Sequence, residues 1–152
     1  MSCPEAGIDL IKEFEGCRLT AYQDQKGIWT IGYGHTGDDV YDGLKWTEDE
    51  ADDNLVADIE NKAYNYVVKL VKVKLNDNQL SALCSLCYNI GAGNFGNSTL
   101  LKILNAGNYD GVPYQFSRWN KVNRITDVGL TRRRQAEIDL WNEGVDYVAA
   151  NT

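Results

Sequence analysis

Apolar residues recur every three or four positions along most of this chain, which is the spacing of amphipathic α-helices. The first such segment begins at Pro4, which suits the first position of a helix, and ends at Gly16. The longest begins after Thr47, which forms a capping box with Glu50. The apolar stripe of this long helix consists of Ala51, Leu55, Ile59, Ala63, Val67 and Leu70.

A different pattern occupies residues 17–43, where the helical spacing disappears. The segment CRLTAY alternates apolar and polar residues, DQKG is typical of a turn, and IWTIGYG is rich in β-branched and aromatic residues. These features predict a small antiparallel sheet. After the long helix, apolar spacing predicts four more helices. The first ends at Gly91 and carries Leu80, Leu83, Cys84, Cys87 and Tyr88. The other three lie within the segments NSTLLKILNAG, VPYQFSRWN and LTRRRQAEIDLWNEG.

The order of these elements predicts an α+β fold in a single domain. A chain of 152 residues, 43% of them hydrophobic, is long enough for one core of ordinary size. We assign residues 1–152 to this domain, with a sheet lobe at about 14–46 and a helical lobe at about 70–147 that also takes in the N-terminal helix. The long helix joins the two lobes, and we expect a cleft between them.

Long apolar stretches are missing from the sequence. The segment YVVKLVKV is interrupted by two Lys, and a membrane span needs about 20 apolar residues. The first residues, MSCPEAGIDL, lack the basic and apolar regions of a secretory signal. We therefore expect no stable membrane insertion, and a protein that stays in the cytoplasm where it is made until something else releases it.

The charges are unevenly spread along a chain whose net charge is −7. Asp38 to Glu60 contains ten acidic residues and one Lys, whereas Arg118 to Arg134 contains six basic residues and one Asp. These segments are either two solvated faces or, for the second, a basic rim that attracts an anionic polymer. The overall acidity argues against nucleic acid as the partner.

Four Cys stand at positions 3, 17, 84 and 87. Cys84 and Cys87 share one face of a predicted helix, where a zinc site would need two further ligands at matching spacing. Only His35 and the two scattered Cys remain for that purpose, so we interpret the pair as small buried side chains. We expect no metal and no cofactor.

The segment FEGCRLTAYQDQKGIWTIGYGHTG gathers residues suited to glycoside hydrolysis, which needs two carboxyl groups in different environments. Glu15 follows Phe14 where a helix ends against the sheet, and an apolar setting keeps a carboxyl group protonated. Asp24 lies in a polar turn, where a carboxylate stays ionised. Thr30 follows on the next strand, and its hydroxyl group is suited to hold a water molecule near Asp24.

This segment resembles the active-site segment of the phage-type lysozymes, the endolysins of glycoside hydrolase family 24. The resemblance continues in LCYNIGAGNFGNSTLLKILNAG and GLTRRRQAEIDLW, and so covers most of the chain from Gly7 to Gly144. It implies a lysozyme-like fold with Glu15 as general acid, Asp24 as the second carboxylate and Thr30 as the residue that positions the attacking water. The implied substrate is peptidoglycan, cut between N-acetylmuramic acid and N-acetylglucosamine. Because a water molecule is held at Asp24, we expect inversion, with the carboxyl groups about 6.5–9.5 Å apart.

Further residues take roles from the same resemblance. Tyr88 and Asn89 line the substrate groove, although a core Tyr beside a helix-terminating Asn is an equal alternative. Arg132 is the residue expected to reach and orient Glu15. His35 has a structural role in the sheet lobe, since no nucleophile elbow accompanies it. We place Trp119 and Trp141 in the core of the helical lobe.

Several functions share this set of residues. A lytic transglycosylase would use one Glu and exclude the water, so the presence of Asp24 and Thr30 counts against it. A silent wall-binding module would be expected to have lost one of the three residues. The same chemistry also serves a toxin or a tail-associated enzyme. For host lysis we expect a monomer that depends on a pore-forming holin.

Overall fold

The computed structural model describes the backbone of residues 2–150 and the side chains of residues 2–143. Its first part is a helix followed by a three-stranded antiparallel sheet in the order β1-β2-β3. The alternating pattern predicted this small antiparallel sheet, and a bridge between Thr20 and Lys45 extends it. The elements are α1 (Glu5–Glu15), β1 (Arg18–Gln23), β2 (Trp29–Gly32) and β3 (His35–Thr36).

The sequence predicted the C-terminal end of α1 correctly and its N-terminal end with an error of one residue. The helix begins at Glu5, so Pro4 is its N-cap and the prediction that Pro4 is the first helical residue is wrong by one position. At the other end Gly16 has a φ of 69°, a left-handed conformation that glycine adopts without strain. Gly16 therefore ends the helix as predicted, and it turns the chain into β1 directly after Glu15.

The predicted long helix is present, and it contains a π-helical turn in its middle. It consists of α2 (Glu48–Ile59), the π turn (Glu60–Tyr64) and α3 (Asn65–Leu70), and the capping box of Thr47 with Glu50 is formed. The buried stripe advances by four residues at each step, so in an α-helix it would rotate by about 40° per step. The wider π turn compensates for part of this rotation and keeps the stripe facing the core. Five residues of the stripe are accordingly buried: Ala51, Leu55, Ile59, Ala63 and Val67.

The helical lobe is built around α4, whose middle is fully buried. A capping box of Asn76 with Gln79 starts this helix. Apolar spacing predicted the longer helices, but it missed α5 and a two-stranded hairpin because these elements are too short to show a period. The elements are α4 (Asp77–Ile90), α5 (Ala92–Gly96), α6 (Thr99–Asn105), α7 (Val112–Ser117), β4 (Lys121–Val122), β5 (Ile125–Thr126) and α8 (Val128–Ala150).

The buried positions confirm most of the core assignments. Cys84 and Cys87 are buried free thiols packed among apolar side chains, as predicted. Trp141 is 1% exposed and belongs to the core. Trp119 is only partly buried against the core, so its assignment as a core residue is wrong in part. Its remaining surface lines cavities on the helical lobe.

Candidate active site

Glu15 is the last residue of α1, and it lies where the helical lobe meets the sheet. Its side chain is 23% exposed. A Cβ atom built on Gly34, which follows β2 with a φ of 88°, would lie 3.7 Å from Glu15 Oε1. Glycine suits this position because it adopts the left-handed conformation without strain, and the distance shows that Gly34 lies next to Glu15 Oε1.

The cation that holds Glu15 is Arg133, and not Arg132 as predicted from the sequence. Arg133 Nη1 donates to Glu15 Oε2 over 2.8 Å, and the guanidinium lies 5.9 Å from the centre of the Phe14 ring. Arg132 is exposed. The prediction for Arg132 is wrong because successive helical residues differ by about 100° in direction, and only the burial of α8 determines which one turns inward.

The prediction of an apolar environment for Glu15 is also wrong in part. The buried cation Arg133 lies beside Glu15 together with Phe14. Arg133 is 4% exposed, and its Nη2 donates to the backbone oxygen of Ser85 over 3.3 Å. A charge-assisted hydrogen bond of this kind orients a carboxylate more strictly than apolar packing does.

A buried group of charged residues, which was not predicted from the sequence, lies next to Arg133. Glu137 is completely buried and accepts hydrogen bonds from Ser85 Oγ over 2.6 Å and from Arg134 Nη2 over 2.9 Å. Burial raises the pKa of Glu137, while Arg134 and the other donors act in the opposite direction. A signal was present in the sequence, because Arg134 and Glu137 share the helical face of Leu130 and Trp141, where apolar residues were expected.

Asp24 and Thr30 are brought together by the backbone of Ile28. Asp24 Oδ1 accepts hydrogen bonds from the amides of Lys26 over 2.8 Å and of Ile28 over 2.9 Å. Thr30 is 4% exposed, and its hydroxyl group donates to the backbone oxygen of Ile28 over 2.9 Å. This hydroxyl oxygen therefore keeps its lone pairs available to a donor such as water. Strand β2 runs from the turn that holds Asp24 towards Gly34, which approaches Glu15.

Tyr88 and Asn89 lie in the last turn of α4. Tyr88 is half-buried, and its hydroxyl group donates to the backbone oxygen of Tyr33 over 3.4 Å. Burial first, and then the negative charges of Glu15 and Asp58, raise the pKa of Tyr88. Asn89 is exposed and lines a different cavity from Tyr88.

His35 connects the sheet lobe to the long helix. Its Nδ1 lies 2.7 Å from Asp58 Oδ2, its Nε2 lies 2.9 Å from Asp39 Oδ2, and its ring packs at 5.3 Å against Trp46. Burial opposes the charged ring, but the hydrogen bonds with Asp58 and Asp39 outweigh it and raise the pKa of His35. The geometry is that of a structural residue, and both ring nitrogens are occupied.

The described residues contain neither a metal site nor a membrane-spanning helix. No group of His, Cys, Asp and Glu within them has the arrangement of a metal site. None of the helices in this part of the chain combines the length and apolar character that crossing a membrane requires.

Comparison with known proteins identifies the family. Residues 12–137 match the family model described as phage lysozyme. The endolysin of Acyrthosiphon pisum secondary endosymbiont phage 1 is 43% identical over 145 residues, which cover 93% of this chain and 98% of that protein. A mutant of the lysozyme of Salmonella phage P22 has a TM-score of 0.84 at 38% identity, with 93% of this chain and 98% of that chain covered. The muramidase domain of SpmX from Asticaccaulis excentricus has a TM-score of 0.85 at 36% identity, with 91% and 96% covered.

The chain belongs to the phage lysozyme family. Its lysozyme-like α+β fold is thereby confirmed. Its activity is that of an endolysin-type muramidase, a glycoside hydrolase that cuts the bonds between N-acetylmuramic acid and N-acetylglucosamine in bacterial peptidoglycan. The transglycosylase and the silent wall-binding module are not favoured by these relatives.

Proposed function

We propose that Glu15, Asp24 and Thr30 carry out this hydrolysis. The observation that supports the assignment best is the hydrogen bond from Arg133 to Glu15, which fixes one carboxyl oxygen and leaves the other facing Gly34. A general acid needs this arrangement, because one oxygen must be held while the other delivers a proton to the leaving sugar oxygen.

Glu15 is proposed to hold that proton on Oε1. Arg133 would then keep the group in the orientation that transfers the proton, since its own position is fixed by Ser85.

Asp24 is proposed as the general base that activates water, with Thr30 as the second contact of that water. Because the Thr30 hydroxyl proton is donated to Ile28, Thr30 would accept a hydrogen bond from the water. The second proton of the water would go to Asp24 Oδ2, since Oδ1 is committed to the turn. Attack by this water opposite to the leaving group inverts the anomeric carbon, and we expect the two carboxyl groups to be about 6.5–9.5 Å apart.

Tyr88, Asn89 and Arg132 are proposed as substrate-binding residues. The ring of Tyr88 and the amide of Asn89 are suited to a sugar ring and its N-acetyl group. Arg132 is exposed, so its proposed contact is with the anionic wall and no longer with Glu15.

The biological setting proposed for this activity is lysis of a bacterial host by a single catalytic domain acting as a monomer. Release to the wall would depend on a pore-forming holin. Gene neighbours that encode such a protein would support this setting over a toxin or a tail-associated enzyme.

The experiment that tests the proposal compares Glu15→Gln with Glu13→Gln on purified cell walls. Glu13 is an exposed residue of the same helix and provides the matched control. Loss of the general acid is expected to reduce the release of new reducing ends by about 10²–10⁴-fold, with no change in the control. The anomeric configuration of the first product, followed by NMR, reports inversion. Anhydro ends, or full activity of Glu15→Gln, would reject the assigned mechanism.

A further inference from the structure

The hydrogen bond from Arg133 to Glu15 sets two requirements of the proposed general acid against each other. An arginine beside a carboxyl group favours its ionised form, by about one to three pH units. A general acid, in contrast, must keep its proton at the pH at which it works. The net charge that α8 presents to Glu15 therefore matters for the reaction, and it comes from three buried residues, Arg133, Arg134 and Glu137.

Glu137 is the acidic member of this group, and donors face both of its oxygens. Its Oε1 lies 2.6 Å from Arg134 Nε. Its Oε2 accepts hydrogen bonds from Ser85 Oγ over 2.6 Å and from Arg134 Nη2 over 2.9 Å, and it lies 3.5 Å from Arg133 Nε. A guanidinium group offers only N–H donors and stays charged in proteins. The ionised form of Glu137 is therefore the one that both arginines require, although burial raises the pKa of Glu137.

Glu137 and Glu15 contact the same guanidinium group. Arg133 donates through Nη1 to Glu15 and through Nη2 to the backbone oxygen of Ser85, and its Nε lies next to Glu137. The two carboxyl groups are thus separated by a single cation, which belongs to a residue that is 4% exposed. Because water screens these groups only weakly, a change of charge at Glu137 acts on Glu15.

Arg134 supplies the second positive charge of the group. It is 1% exposed, and within the part of the chain whose side chains are described its ion pair is with Glu137. It also donates to the backbone oxygen of Trp119 over 3.2 Å, which carries no charge. With Glu137 ionised, one net positive charge remains beside Glu15, whereas without Glu137 there would be two.

The neighbouring groups on other elements leave this charge balance unchanged. On α4, Ser85 is uncharged. The hydroxyl group of Tyr88 stays neutral, because burial first, and then the negative charges of Glu15 and Asp58, raise its pKa. Asp58 on α2 has its own ion pair, since its Oδ2 lies 2.7 Å from His35 Nδ1.

We propose that Glu137 is a positioning residue that balances the charge of Arg133 and Arg134, so that Glu15 is held by a cation and still keeps the proton it donates. The proposal rests on the assignment of Glu15 as the general acid. It gives Arg134 the opposite effect, since loss of this cation should let Glu15 keep its proton to higher pH. Loss of the Glu137 charge should release that proton at lower pH. A residue that serves packing alone produces no such opposed pair of shifts.

The test compares Glu137→Gln, Arg134→Gln and the double variant with the unmodified protein in two pH titrations. The first follows the carboxyl ¹³C signal of Glu15, which is assigned by its disappearance in Glu15→Gln. The second follows kcat on purified cell walls, whose decrease at high pH reports loss of the proton of the acid. We expect both midpoints to move down by about one pH unit in Glu137→Gln and up by a similar amount in Arg134→Gln.

The double variant removes one charge of each sign, so both midpoints should return to those of the unmodified protein. Replacing both partners of a buried ion pair costs less stability than removing one. If Glu137→Gln does not fold, the comparison of Arg134→Gln with the double variant therefore decides. Glu143→Gln, the same change at an exposed residue of α8, is the matched control and should leave both midpoints in place.

Midpoints of the Glu15 signal that stay in place, or that move in the same direction in the two single variants, overturn the proposal. A double variant whose midpoint differs from that of the unmodified protein as much as Arg134→Gln does would also overturn it. A moved Glu15 signal with an unmoved kcat profile supports the charge balance and rejects Glu15 as the general acid. A failure of this proposal is thereby distinguished from a failure of the hydrolytic mechanism.

Discussion

Replacement of Arg133 by Gln removes the cation that holds Glu15 while it keeps a polar side chain of similar length. Arg133 is 4% exposed, and its guanidinium contacts Glu15 over 2.8 Å, Ser85 over 3.3 Å and Glu137 over 3.5 Å. Its loss leaves Glu15 without its cationic partner, whereas Glu137 keeps Arg134. The matched control is Arg132→Gln, the same change at the exposed neighbour.

The cost to stability follows from burial. Removing one partner of a buried ion pair typically costs about 3–5 kcal/mol. The Glu15 side chain is 23% exposed, so water can solvate part of the abandoned carboxylate. We therefore expect about 2–3 kcal/mol, which for a domain of this size lowers Tm by about 4–12 °C. The exposed control should change the free energy of unfolding by less than about 0.5 kcal/mol.

The assay combines denaturant unfolding with wall hydrolysis at a temperature where both variants are folded. Because Glu15 loses its orientation, we expect kcat to fall by about 10²-fold in Arg133→Gln. Arg133→Lys keeps the charge without the paired geometry and should recover only part of kcat.

Two results would refute this reasoning. A larger fall of kcat in Arg132→Gln than in Arg133→Gln would mean that Arg132, not Arg133, orients the acid, because loss of a contact with the wall is expected to raise KM instead. A large loss of stability in Arg133→Gln with unchanged kcat per folded molecule would mean that Arg133 is a structural residue alone.

Two further predictions concern His35 and Tyr88. Because hydrogen bonds with Asp58 and Asp39 raise the pKa of His35, its charged ring stabilises the fold fully below about pH 6.5, and this contribution is lost as the pH rises through the raised value. The free energy of unfolding of the unmodified protein, measured from pH 5.5 upward, should decrease as the pH rises through that value, whereas His35→Gln should lack the decrease. Identical curves for the two proteins would contradict the assigned ion pairs. Tyr88→Ala should lower kcat/KM on cell walls by about tenfold while Tyr88→Phe, which loses only the hydrogen bond to Tyr33, keeps most of the activity. Reduced stability of Tyr88→Ala with normal activity per folded molecule would remove this ring from the groove.

The predictions from local patterns were reliable where the pattern is long or the turn chemistry is specific. The stripe from Ala51 to Val67 identified the long helix, and the Thr47 capping box located its start. The π turn at Glu60–Tyr64 was not predicted, although a stripe with four-residue spacing stays on one side of the helix only if a wider turn compensates for its rotation. The β4–β5 hairpin has strands of two residues, which carry no period to detect.

The amino-acid sequence by itself determined the local positions of the three residues proposed as catalytic, because Glu15 at a helix end, Asp24 in a turn and Thr30 on a strand depend on local structure alone. Tertiary structure decided which cation meets Glu15, since Arg132 and Arg133 differ only in the direction that α8 turns towards α4. It also decided that Glu137 is buried with Arg134, and that Arg118 and Arg124 share a cavity with Asn89. The physical reason is that direction around a helix and contact between distant segments depend on how the whole core packs, which no short segment specifies.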